Sequence, residues 1–489
     1  MMLLSTLVKS LALVVNGQYQ SLSVEFFAFM EYSGNETYQN PININLVKHI
    51  RELGRVPLKV RIGGSSQGSL YWIDEQKEGM IGYYNNNADK TYNVTLGPAF
   101  LDAFDAWPSD TEFVIGLPFP PENEDYLRTN IEVTKRAHKK LGDRLLAIEL
   151  GNERNDLEGY NPKIFTDRFV HYARIISQEA FGEPYARKFT AGTFHAPTLI
   201  ECEDEDNAES CWSSTSLFRN GINDKGIIKY ADTHQYMATF DSGTRIPRQR
   251  LMEHNHTAFF VDSHYDLAAY STAQGVPYIL GESNSLFGHG VVGTSDTFAA
   301  ALWNIDYTLY SAQTNITNIG FHQAFGWRYS AWRPIPAFGH PAGVLPSYYA
   351  WWLVQKALGA SNGSSKQVEA IVTDDRLTVY GVYEAGKTRG ALSSLIVLNL
   401  QDWDSNKGQD SRPEVTLDFS KVAGISRKAK VYRLNAEGAD SKDPGHVSFA
   451  GQYVDKLDGV IHGDELVESL DKERALRIKA AEALLVTLS

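Results

Sequence analysis

Two glutamates stand where a carboxylate would do chemistry. The run LLAIELGNE (145–153) ends an apolar stretch on Asn152 and Glu153, and VPYILGES (276–283) carries Glu282 at its close. Neither apolar run would otherwise need a charge at its tip. Paired carboxylates facing each other across a cleft are what hydrolysis of a glycosidic bond requires: one protonated acid, and one ionised nucleophile or base. Taken singly, each Glu would more often be a surface or ion-pair residue; the two together, with the eight-strand periodicity, favour catalysis.

Other groups cluster around the same strand ends. Asn152 is placed to donate to a sugar 2-hydroxyl, an interaction that strengthens in the transition state. Tyr236 and His234, in THQY, share one strand face because side chains alternate with period two; His234 reads equally as a buried structural histidine or as a working one. Arg61, at the end of PLKVRIGG (57–64), is expected to steady Glu282 or to pair with Glu149. Glu149 lies on the same face as Glu153, deeper in the strand, and a buried charge there needs a partner. Glu25, in SLSVEFF (21–27), is of the same kind and left undecided.

These residues require a scaffold that brings strand ends together. Eight strand-like runs occur at 21–27, 57–64, 112–118, 145–153, 188–194, 230–236, 276–283 and 318–325, with helical patterns between them at 125–142, 164–182 and 294–313. Eight β/α units over roughly three hundred residues predict a (β/α)8 TIM barrel, whose functional groups sit at the C-terminal strand ends. An open doubly wound sheet is the competing arrangement, but no G-x-G-x-x-G or P-loop follows an early strand to support nucleotide binding. After the helical segment 347–361 come short strand-like runs such as RLTVYGVYEA, ALSSLIVLNL and ALLVTLS, predicting an antiparallel β-sandwich. The expected domains are therefore a candidate leader or N-terminal segment at 1–20, a catalytic barrel at 21–360 and a C-terminal β-sandwich at 361–489.

The stretches SVEFFAFMEYSGN, VRIGGSSQ, ELGNERND, THQY, LGESNSL with GTSDTFAAALWNIDY, and GFHQAF resemble glycoside hydrolase family 79, of the clan A retaining glycosidases, and its fungal β-glucuronidase branch above the related heparanases. The tail from HVSFAGQYVDKLDG to LLVTLS is similar to that family's C-terminal β-domain. The resemblance implies that Glu153 is the acid/base, Glu282 the nucleophile, and Tyr236 the tyrosine that hydrogen-bonds the nucleophile. It implies further that the loop SLFGHGVVG (285–293), through Gly288, and Tyr329 receive the carboxylate of a glucuronide. Phe287 stands where relatives carry a hydroxyl-bearing ring, with His289 and Arg328 as alternative donors. Two departures from the family are GNERN, where a Pro follows the Glu in many relatives, and GGSS, where an Asn often follows the glycines. The implied activity is that of a retaining, exo-acting β-glucuronidase, with tolerance of 4-O-methylation expected. The alternatives are a retaining enzyme of neutral β-glycosides and a catalytically dead carbohydrate-binding barrel.

Composition bounds the partners. The 489 residues carry a formal charge of −13, which disfavours nucleic acid and argues against an endo-acting enzyme of polyanionic chains. No apolar run approaches a membrane span. No cofactor or metal is expected, and a carbohydrate or glycoconjugate is the expected substrate. The two cysteines, Cys202 and Cys211, are expected to close a local disulfide in an oxidising compartment. Together with an apolar N-terminal stretch and N-x-S/T sequons at Asn35, Asn93, Asn255, Asn315 and Asn362, they point to an extracellular protein.

Overall fold

The computed structural model describes residues 2–3, 13–34, 38–84, 91–195, 211–237, 247–359, 365–386, 390–420, 428–470 and 474–488. Eight parallel strands close into a barrel: β1 (Gln20–Glu25), β2 (Lys59–Gly63), β3 (Glu112–Leu117), β4 (Leu145–Leu150), β5 (Phe189–His195), β6 (Ile228–Tyr236), β7 (Tyr278–Asn284) and β8 (Ile316–Gln323). β8 pairs with β1 from Ile319↔Gln20 to Gln323↔Val24, which closes the ring. The predicted TIM barrel is thus the fold, and the open-sheet alternative is excluded.

Inside the barrel the side chains change character along the axis. Val114, Ala147, Tyr230 and Ile279 form an apolar floor. Two residues further along their strands, Glu149 and Asp232 make a buried acidic layer, and the next step on β6 is His234. Period-two alternation turns one face of each strand into this stack, while the other face packs against helices.

The helices begin where the sequence supplies caps. The Asn123 side chain accepts from the Asp125 amide at the start of α2 (Glu124–Leu141), following α1 (Pro41–Gly54). Asn161 accepts from the Ile164 amide at α3 (Pro162–Phe181), which has Pro162 in its first turn and Gly182 at φ 77° beyond its end. Such caps satisfy amides that a helix leaves unpaired. α4 (Phe298–Ser311) is buried on nearly every side, and so is α5 (Tyr348–Leu358). Both lie between the barrel and the second domain.

That domain is built from β9 (Lys366–Asp374), β10 (Leu377–Glu384), β11 (Leu392–Asn399), β12 (Glu414–Asp418), β13 (Lys430–Ala436), β14 (Ala475–Lys479) and β15 (Glu482–Thr487). The large sheet runs β9-β10-β11-β15-β13, and β12 pairs antiparallel with β14 in a second sheet. Alternation decides what each face covers. Val379, Val397, Leu484 and Val486 meet Leu417 and Ile478 of the second sheet. Tyr380, Val382, Ile396, Leu398 and Leu485 join the core that reaches into the barrel helices.

Val14–Val15 pairs antiparallel with Lys366 and Gln367, so part of the segment expected as a leader extends the C-terminal sheet. Between β2 and β3 lies a three-stranded sheet (Leu70–Trp72, Met80–Tyr84, Thr91–Leu96) that the strand count did not include. Cys202, half of the expected disulfide with Cys211, lies outside the described residues, as do Asn35 and Asn362. Among the described residues no helix is long and apolar enough to cross a membrane.

Candidate active site

Glu153 and Glu282 face each other at the tips of β4 and β7. Their nearest carboxylate oxygens and the His234 Nδ1 all lie within 4.8 Å of one another. Glu153 has a left-handed backbone, φ 54°, and its amide donates to the Thr193 carbonyl at 2.9 Å. A non-glycine residue held there costs of order 1 kcal/mol or more, and such strain concentrates at functional sites. Here it turns the chain out of β4 so that the carboxylate points across the mouth, with its side chain still 21% exposed.

Glu282 is held on every side. Tyr236 donates its hydroxyl to Oε1 at 2.8 Å, and Arg61 donates Nη1 to Oε2 at 2.7 Å. His322 Nε2 stands 3.6 Å and His234 Nδ1 3.9 Å from Oε2. Burial alone would raise this carboxyl's pKa. The charges of His322, His234 and Arg61 outweigh that and hold it well below the usual carboxylate range. Glu282 is ionised and oriented.

His234 bridges the pair, with Nδ1 2.9 Å from Glu153 Oε1. Burial disfavours its charged form, but Glu282 and Glu153 reverse the balance and raise its pKa to about 9. Of the two readings of this histidine, the geometry selects the one tied to the carboxylates. At neutral pH it is an imidazolium between two acids.

Arg61 does both things foreseen for it. Besides Glu282 it makes a two-pronged contact with Glu149, Nε to Oε2 at 2.9 Å and Nη2 to Oε1 at 2.6 Å. Its Nη2 also donates to Asn152 Oδ1 at 2.8 Å, which leaves the Asn152 amide nitrogen to donate elsewhere. One planar guanidinium therefore sets the orientation of Glu282 and Asn152 together, a task a lysine could not perform.

Glu25, left undecided by sequence, accepts from the Ser66 amide and hydroxyl and meets His322 Nε2 at 3.1 Å. Gly64 must be glycine: its φ is 96°, and a Cβ there would lie 2.2 Å from the Glu25 carboxylate. His322 itself was missed as a site residue, although its run GFHQAF was noted; its Nδ1 faces Ser23 Oγ at 3.0 Å. Asp232 was also missed. It accepts from the Gly281 amide at 2.6 Å, its other oxygen has no partner among the described residues, and burial pushes it up to about 6.

Tyr329 and the 285–293 loop do come to the site. The Tyr329 ring lies 6.1 Å from that of Tyr236, and Tyr329 is 4% exposed. Gly290 packs so closely that a Cβ would lie 3.0 Å from the Tyr329 amide nitrogen. Gly288 has φ 70°, and Phe287, 41% exposed, stands edge-on to Tyr236. The His289 ring stacks on Trp327 with centroids 4.3 Å apart.

Residues 379–485 match the glycosyl hydrolase family 79 C-terminal beta domain. A β-glucuronidase of Neurospora crassa is 26% identical over 471 residues, covering 86% of this chain and 82% of the relative. One of Aspergillus niger is 26% identical over 455 residues, covering 88% and 82%. Among solved structures, a 4-O-α-L-rhamnosyl-β-D-glucuronidase from Fusarium oxysporum superposes with a TM-score of 0.79 at 21% identity, covering 98% of this chain and 97% of that one. An α-L-arabinofuranosidase from Thermotoga maritima shares the fold at a TM-score of 0.60 and 11% identity, covering 97% of each chain. With a family 79 C-terminal domain joined to a barrel that carries two facing glutamates, the chain is a glycoside hydrolase.

Proposed function

We propose that the protein is a retaining, exo-acting β-glucuronidase in which Glu282 is the nucleophile and Glu153 the acid/base. The observation that carries the mechanism is the approach of the two carboxylates to within 4.8 Å. Retaining enzymes hold them about 5–5.5 Å apart, whereas inverting enzymes leave about 6.5–9.5 Å for a water. Glu282, ionised by its cationic neighbours, attacks the anomeric carbon while Glu153 protonates the departing oxygen. Water, deprotonated by Glu153, then hydrolyses the glycosyl ester and regenerates the β-anomer.

The switch of Glu153 from acid to base follows from the same proximity. Two charges this close repel by about 3–4 kcal/mol at an effective dielectric of about 20. Esterification of Glu282 removes that repulsion for the second step, in which Glu153 acts as the base. His234 stays with Glu153 throughout and keeps the carboxyl aimed. Asn152 supplies the donor for the 2-hydroxyl.

The glucuronide assignment draws on the β-glucuronidases of N. crassa and A. niger. It is supported by the Tyr329 hydroxyl and by loop amides near Gly288 that can receive a C5 carboxylate. The exposed sequon at Asn255 supports an extracellular setting. Alanine variants test the two roles. Glu282→Ala should abolish turnover. Glu153→Ala should keep activity on aryl glucuronides with good leaving groups and be accelerated by azide, giving the β-azide. The same azide product from both variants would reverse or remove the assignment.

A further inference from the structure

Glu153 needs restraint on both sides to keep its backbone where it is. At φ 54° it lies in a region that side chains other than Asn, Asp and His seldom occupy. The dihedrals at one Cα are fixed only when the peptide planes before and after it are both held. β5 holds the first plane: the Glu153 amide donates to the Thr193 carbonyl at 2.9 Å, and Thr193 Oγ1 donates back to the Gly151 carbonyl at 3.1 Å. Thr193 is itself left-handed, at φ 40°, and follows Gly192 at φ 106°. Two strained turns lean on each other there, so further support must come from elsewhere.

Side chains of the next two residues hold the second plane. Arg154 lays its stem across Gly151, where an added Cβ would lie 2.9 Å from Arg154 Cγ, and its Nη2 passes Gly68, where an added Cβ would lie 3.1 Å away. That nitrogen then meets Glu122, in the loop after β3, 2.8 Å from Oε2. The two side chains are 25% and 24% exposed, so the pair is better shielded from water than an open surface ion pair. Asn155 reaches the other way, with its Oδ1 2.8 Å from Nδ1 of His195, the last residue of β5. One short turn is thereby tied to both neighbouring strands.

No other contact does this work. His234 meets the carboxyl at the far end of the side chain and leaves the backbone dihedrals open. Glu282 is anchored separately, by Arg61 from β2 and Tyr236 from β6. Loosening the turn after β4 would therefore fall on Glu153 and spare the nucleophile.

We propose that Arg154 and Asn155 are positioning residues: bridged to Glu122 and His195, they hold Glu153 in its left-handed turn so that its carboxyl reaches the leaving group's oxygen. The proposal rests on the reading of Glu153 as the acid/base. Without the bridges the turn relaxes toward the right-handed or extended regions and carries the carboxyl away from the oxygen it must protonate. A misplacement of about 1 Å at such a group costs about a hundredfold.

Wild type, Arg154→Met, Arg154→Lys, the double variant Arg154→Met/Asn155→Ala, and Glu153→Ala are compared on phenyl and 2,4-dinitrophenyl β-D-glucuronide. Departing phenolate needs a proton in the transition state, whereas dinitrophenolate leaves without one, and kcat/KM reports that first step. Arg154→Met should lose about tenfold or more on the phenyl substrate and no more than about threefold on the dinitrophenyl one. The double variant should widen this gap toward that of Glu153→Ala, and Arg154→Lys should stay near wild type. A crystal structure of either Met variant should show the Glu153 backbone outside the left-handed region. Equal losses on both substrates, or a loss on neither, would overturn the proposal. If Glu153→Ala shows no dependence on the leaving group, or the wild type cleaves neither glucuronide, the reading beneath the proposal falls on its own. The crystal structures then decide the bridges, and a Glu153 φ still near 54° in both variants overturns their role.

Discussion

Arg61 joins Glu282 to Glu149: one guanidinium, 4% exposed, makes a 2.7 Å contact with the first and a two-pronged contact with the second. Removing it strands two carboxylates in the barrel interior. Arg61→Ala should cost about 3–5 kcal/mol of stability, the scale for breaking a buried ion pair by deleting one partner. Arg61→Lys should recover part of the stability but little of kcat, because an ammonium cannot hold Glu282 and Asn152 in one plane. Denaturant unfolding and steady-state kinetics on the two variants check this; equal kcat for Lys and Arg would show that charge alone matters.

His234 makes stability depend on alkaline pH. Its pKa rises from the ordinary histidine value to about 9 in the folded protein. A raised folded-state value gives stability that is fully present below pH ~6.5 and is lost as pH climbs through ~9. The difference in Tm between wild type and His234→Gln should therefore shrink between pH 6 and pH 9.5. A difference independent of pH would mean that the ring acts by packing and not as a cation.

The C-terminal domain should be inseparable from the barrel. Its 437–444 segment caps α4, with the Phe298 amide donating to Ser441 O and the Ala299 amide to Ala439 O. Tyr380 Oη donates to Asp306 at 2.6 Å, and Arg248 of the barrel grips Asp402 and Asp404. A chain ending near Gly359 would expose the apolar sides of α4 and α5. It should be insoluble or should melt well below the full chain in a thermal scan; a soluble, fully active barrel would refute this.

Much of this was legible in the sequence because the barrel strands are short apolar runs ended by Gly, Asn or charge, and each of the eight was found within a few residues of its place. Glu153, Glu282, Arg61 and Tyr236 were legible because a polar side chain ending an apolar strand has few structural uses. What escaped has a common cause in long-range partners. Val14–Val15 is a strand only because Lys366 and Gln367 are beside it. The pairing of His322 with Glu25 joins residues 297 positions apart. The strands at 70–96 formed an insertion, and a count that closed neatly at eight gave no reason to look for more.

Tyr329 should discriminate between sugars. Its ring lies beside that of Tyr236, so its hydroxyl would meet a charged carboxylate on a glucuronide and only a neutral hydroxymethyl on a glucoside. Tyr329→Phe should lower kcat/KM for an aryl β-D-glucuronide by about 1.5–3 kcal/mol of transition-state binding. Glucoside turnover should change far less. Equal losses on both sugars would assign Tyr329 to support of Tyr236 and Glu282 instead.

The most direct test of the central claim is time-resolved proton NMR of the wild type acting on an equimolar mixture of aryl β-D-glucuronide and aryl β-D-glucoside. A retaining β-glucuronidase releases glucuronic acid first, as the β-anomer, with the α-anomer growing only by mutarotation while the glucoside persists. Initial α-anomer would contradict the retaining mechanism, and glucose released as fast as glucuronic acid would contradict the sugar assignment.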